Sequence, residues 1–132
     1  MLSWSVSWGP VIVAALVTIA VGAAWYSPAG FGKTWMKLAG VKKMGDGAVS
    51  YLWNAAAALV QAFLLANLVR DLGSTTVHDG LLLGFIVWLG FVAATTIGDV
   101  VFGNRPWKLW QINAGYWLVV LLINGWLLSV WK

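Results

Sequence analysis

The chain of 132 residues contains no cysteine, which removes disulfides, thiolate nucleophiles and cysteine-ligated metals, and with them any sign of redox compartment. Charge is nearly as scarce, since Asp, Glu, Lys and Arg make up 9% of the residues, where soluble domains carry about 25%. Four acidic residues and one histidine cannot be assembled into paired carboxylates, a three- or four-ligand metal set or a Ser-His-Asp constellation. The sequence therefore predicts no enzyme, no cofactor and no metal. With 61% hydrophobic residues and a mean hydropathy of +0.85, there is too little polar surface to cover a water-soluble globule.

What is present in quantity is apolar sequence in runs long enough to cross a bilayer, which takes about 20 residues as a helix. Four such runs lie at about 9–26, 50–69, 80–102 and 109–131. They fill most of the chain and leave room for one domain, 1–132, so the expected fold is all-α, an integral membrane four-helix bundle. The first run could pass for a signal peptide. The stretch before it, Met1 to Trp8, has no Lys or Arg to form a positive n-region, and further spans follow, so it reads as a retained helix. It ends at Ser27-Pro28, where proline disfavours helical geometry in the preceding residue. A short interfacial helix is expected over Phe31–Leu38, a turn at Gly45-Asp46-Gly47, a loop from Leu72 to Asp79 and a further turn at Gly103-Asn104-Arg105-Pro106.

The net charge is +4. Because the basic residues flank apolar runs, they point to lipid headgroups and topology rather than to nucleic acid. The first and third connections hold Lys33, Lys37, Lys42, Lys43, Arg105 and Lys108; the opposite side has Arg70 and Lys132. By the positive-inside tendency the basic loops are cytoplasmic, with both termini outside. Most of the eleven tryptophans fall near span ends, as headgroup anchors would.

Hydrocarbon offers no hydrogen-bond partners, so polar residues inside the spans must find them in the protein or in water. Gln61, Thr95, Asp99, Asn113 and Tyr116 are the candidates for a polar interior, alongside Asn54, Asn67, Thr96 and Asn124. Asp99 lies near the basic end of its span and is expected to pair with Arg105 or Lys108. These residues fit either interhelical crosslinks or a lined pathway. Small residues recur every four positions at Ala14, Thr18 and Gly22, at Ala58, Ala62 and Ala66, at Gly80 and Gly84, and at Gly90, Ala94 and Gly98. Such stripes let backbones approach closely, within the chain or against a second copy.

Other motifs carry less. Gly30-Phe31-Gly32-Lys33-Thr34 looks like the end of a phosphate-binding loop, but the required first glycine is Ser27 and no strand precedes it. His78-Asp79 reads as a solvated loop pair. The segment Phe31 to Lys37 echoes Phe102 to Lys108, which fits either two parallel hairpins or chance.

Trp25-Tyr26-Ser27-Pro28 with Phe31-Gly32-Lys33 and Trp35-Met36, together with Gly103-Asn104-Arg105-Pro106 and Ile112-Asn113-Ala114-Gly115-Tyr116, resemble a family of small membrane proteins catalogued as domain of unknown function 1761. The resemblance covers nearly the whole chain. It implies four helices in a prokaryotic inner membrane and brings no activity with it. The functional expectation is a homo-oligomeric transporter or channel for a small solute or ion. The other reading is a non-catalytic membrane scaffold or accessory subunit.

Overall fold

The computed structural model describes residues 2–43 and 47–131. Gly45 and Asp46 of the expected turn, and Lys132 of the charge count, lie outside the described residues. Among the described residues five helices form: α1 Trp8–Trp25, α2 Gly32–Ala39, α3 Ala48–Asp71, α4 Val77–Val101 and α5 Trp107–Val130. All but α2 are long and apolar enough to cross a membrane. The described residues are therefore all-helical, with four membrane-compatible spans.

The bundle is organised around α5, which packs against every other helix, while α3 and α4 barely meet. Residues of α5 are buried on several faces, from Ile112, Ala114 and Tyr116 to Leu121, Asn124 and Ser129. Successive helical residues point about 100° apart, so burial at positions two apart requires neighbours on more than one side. One neighbour is the antiparallel pair α1 and α3, which share a core of Val11, Ala14, Ala58, Ala62 and Leu65. At the end of the bundle away from the basic loops, Trp4 and Trp8 stack on Phe63 at 4.9 and 5.5 Å. Asn67 is buried there, accepting from the Ser3 amide at 2.8 Å.

The other neighbour is α4, whose backbone lies directly on that of α5. A Cβ added to Gly80 would run into the Gly125 carbonyl, and one added to Gly84 into the Leu121 carbonyl. Glycine at these positions is what allows the two helices so close together, as in small-residue helix pairs generally. The contact thus assigns Gly80 and Gly84 to the interior of one chain.

Two local features differ from the sequence expectation. The α4 helix begins at Val77 rather than Gly80, because Thr76 caps it, its hydroxyl accepting from the Asp79 amide at 3.1 Å. His78 and Asp79 are accordingly in a first helical turn and not in a loop. The echo between Phe31–Lys37 and Phe102–Lys108 is not structural, since the first enters α2 and the second passes through the open segment 103–106. Where the first span was expected to end, Ser27 to Phe31 folds back tightly on the end of α1. The Phe31 amide donates to the Trp25 carbonyl at 2.7 Å, and a Cβ on Gly32 would meet the Tyr26 carbonyl. This turn directs the amphipathic α2 against α5 while Lys33 and Lys37 remain exposed.

The glycine contact predicts a contrast between stripes. Gly80→Ala and Gly84→Ala force backbones apart and should cost about 1–3 kcal/mol, the usual range for overpacking. Gly90→Ala meets nothing within 4 Å and should leave stability unchanged within about 0.5 kcal/mol. Thermal unfolding of the purified variants in detergent measures the difference; equal losses at Gly84 and Gly90 would refute the packing.

Candidate functional site

Halfway along α4, Leu89–Ala93 forms a π-helical turn, with the Ala94 amide bonded to the Leu89 carbonyl. Such a turn inserts one residue into the helix and advances everything after it by about 100°. Before it, Gly80, Gly84 and Trp88 face α5; the Trp88 indole donates to the Ala114 carbonyl at 2.7 Å. A regular α-helix would continue that face through Phe91, Thr95 and Gly98. Instead Ala93 and Val100 are buried, and Thr96 accepts from the Trp110 indole at 2.9 Å. The carbonyls disturbed by the turn are satisfied locally: Thr95 Oγ1 donates to Phe91 O at 2.9 Å and Thr96 Oγ1 to Val92 O at 2.6 Å. That answers the requirement for internal pairing in apolar surroundings.

The advance in phase opens a cleft of about 630 Å³ between the second half of α4 and the start of α5, at the basic-loop end. Thr96, Asp99, Arg105, Asn113, Trp110 and Trp117 line it. Asn113 is fixed from the other side by Tyr26, whose hydroxyl donates to Asn113 Oδ1 at 2.7 Å. Its amide nitrogen has no partner among the described residues. Around this bond the Tyr26 ring meets Tyr116 edge-on at 5.5 Å, and the Trp25 indole donates to the Ile112 carbonyl at 2.9 Å.

Of the five interior candidates, the structure brings Asp99 and Asn113 together in this cleft. Thr95 does not line the cleft, its expected place being taken by Thr96; both are exposed. Tyr116 is buried behind the cleft, donating to the Thr18 carbonyl at 2.8 Å. Gln61 lies elsewhere, in an apolar groove of about 570 Å³ between α3 and α4, and its Oε1 is buried without a partner among the described residues.

The expected ion pair does not form: the Asp99 carboxylate pairs with neither Arg105 nor Lys108, whereas Arg70 pairs with Asp71 at 2.9 Å and the His78 ring lies 3.8 Å from the Asp79 carboxylate. The chain reverses through Asn104, at a left-handed φ of 55°, so that the Arg105 backbone amide and not its guanidinium reaches Asp99, at the carbonyl, 3.2 Å away. Asp99, Arg105 and Lys108 are all exposed. A charge open to water at the bundle end has no need of a partner.

A second polar group lies deeper. Asn124 Nδ2 donates to Thr18 Oγ1 at 3.0 Å, and that hydroxyl donates to Ala14 O at 2.9 Å. Thr18 and Tyr26 were missed as interior polar residues. The signal for Tyr26 was its place at the end of an apolar run beside Trp25; for Thr18 nothing distinguished a partner from a member of a small-residue stripe.

The chain belongs to the family described as Protein of unknown function (DUF1761), whose model matches residues 10–129. No curated protein and no solved structure matches it.

The π-turn makes a prediction that a chain free of cysteine is suited to test. With the turn intact, Thr96→Cys and Trp110→Cys should crosslink under mild oxidation, and Thr95→Cys with Trp110→Cys should not. Deleting Gly90 removes the extra residue and should convert the turn to regular α-helix with Thr96 still facing Trp110, so both results should persist. Gel mobility after oxidation reads both, and an exchange of the two results in the deletion variant would refute the phase argument.

Proposed function

We propose that this member of the DUF1761 family is a membrane-embedded protein that binds a small solute in the α4–α5 cleft and moves it, working as an assembly of copies. The observation that carries the reading is the cleft itself: about 630 Å³, within the 300–1,000 Å³ usual for ligand sites, and holding an acid, a base and an amide at the end of otherwise apolar helices. Asp99 is an ionisable group within one of those spans, and such groups are functional candidates by default. The outward stripe Gly90, Ala94 and Gly98, of which the two glycines meet nothing within 4 Å, supports assembly, because it offers a second helix close approach. No catalytic step is proposed.

A non-catalytic scaffold is the second reading. It is favoured by the Thr18, Tyr116 and Asn124 network, whose bonds join α1 to α5 and need no solute.

Liposome swelling separates the two. Vesicles holding the protein should swell in at least one of iso-osmotic glycerol, glycine or O-phosphoethanolamine faster than protein-free vesicles, and Asp99→Asn or Arg105→Gln should slow that entry severalfold while Gln61→Leu leaves it alone. Entry of none of the three would favour the scaffold.

We further propose that the basic loops face the cytoplasm of a prokaryotic cell. Introduced singly, His78→Cys should then react with a membrane-impermeant maleimide on intact cells, and Lys37→Cys only after permeabilisation. The reverse pattern would invert the topology.

A further inference from the structure

The α4–α5 cleft presents one side chain of each sign, and neither is neutralised by the other. Asp99 lies on its α4 side, Arg105 on the connecting segment, and no ion pair joins them. Two unpaired charges of opposite sign lining one cleft set a requirement on the ligand. A simple anion at Arg105 would leave Asp99 repelling it, and a simple cation at Asp99 would face the guanidinium. A molecule carrying both charges meets both.

The other walls fit the same description. Trp110 is held in place by its indole bond to Thr96, and with Trp117 it lines the cleft; indole faces attract ammonium groups. Asn113, its carbonyl oxygen occupied by Tyr26, offers amide N–H groups to the cleft. These add a neutral donor to the guanidinium, whose fork matches a carboxylate or phosphate.

We propose that the cleft binds a small zwitterion, its ammonium at Asp99 and the Trp110 and Trp117 rings, its oxyanion at Arg105 and the Asn113 amide. This rests on the reading of the cleft as a binding site. The shared chemistry, one amine and one carboxylate or phosphate, is found both in free solutes and in zwitterionic phospholipid headgroups. Both can reach a cleft at the end of the spans.

The test measures binding without flux. The purified full-length chain in detergent is dialysed against radiolabelled O-phosphoethanolamine, with inorganic phosphate and ethanolamine as probes of single charge. The zwitterion should be retained saturably and at least about tenfold more tightly than either. Asp99→Asn should weaken it by about tenfold, the loss of one charge-assisted bond, and leave phosphate unchanged. Arg105→Gln should weaken both, and Asp99→Glu should restore the zwitterion. In parallel, native mass spectrometry from nanodiscs of equal phosphatidylethanolamine and phosphatidylglycerol asks whether the wild type retains the amine lipid more than Asp99→Asn does. Enrichment assigns the site to the headgroup; soluble binding without enrichment assigns it to a free solute. The proposal is overturned if the zwitterion binds no better than phosphate and the amine lipid is not enriched, or if both substitutions leave binding intact. Binding without vesicle swelling would remove the transport reading and keep this one; swelling without binding would do the opposite.

Discussion

The direct backbone contact of α4 with α5 at Gly80, Gly84 and Gly125 sets the position of everything else in the bundle. In an apolar medium no hydrophobic force draws helices together, so close packing and interhelical hydrogen bonds must supply the association. Once the glycines fix the register, Trp88 reaches the Ala114 carbonyl and Trp110 reaches Thr96. The cleft begins where that contact ends. Its shape follows from the π-turn, which rotates the second half of α4 while leaving the glycine face of the first half in place.

The aromatic residues take a more specific part than anchoring at the headgroups. Indoles from α1 and α4 donate to carbonyls of α5 at Ile112 and Ala114, two residues apart and therefore on different faces of the central helix. Tyr26 and Tyr116 continue the arrangement with hydroxyl bonds to Asn113 and to the Thr18 carbonyl. Each bond is worth about 1 kcal/mol or less in a membrane bundle. Their combined effect is orientation: they set the rotation of helices whose apolar surfaces, rich all round in Leu, Val and Ala, would otherwise leave it free.

The polar residues divide into two classes. Thr18, Asn67, Tyr116 and Asn124 are buried and bonded inside the bundle, as crosslinks are. Asp99, Arg105 and the amide nitrogen of Asn113 have no side-chain partner among the described residues and share one cleft. The second class is where a ligand has something to gain. Gln61 falls between them, with its oxygen buried and unpartnered in an apolar groove, and Asn124, bonded through its nitrogen, likewise leaves Oδ1 buried without a partner among the described residues.

The amino-acid sequence by itself determined the number of membrane-compatible spans and their approximate positions, because these depend on composition and run length, which are local. It also supplied the resemblance that the family match bears out, and it named Asp99 and Asn113 among the polar candidates that one cleft brings together. Which polar residues share a site was decided by tertiary structure. The π-turn replaced Thr95 with Thr96, and it left no periodicity signal, since a helix that is apolar on every side looks the same at any rotation. The reversal at Asn104 separated the Arg105 guanidinium from Asp99, although their spacing along the chain had suggested a pair. Helix rotation and loop direction are fixed by contacts between distant segments, and no window of sequence contains both partners.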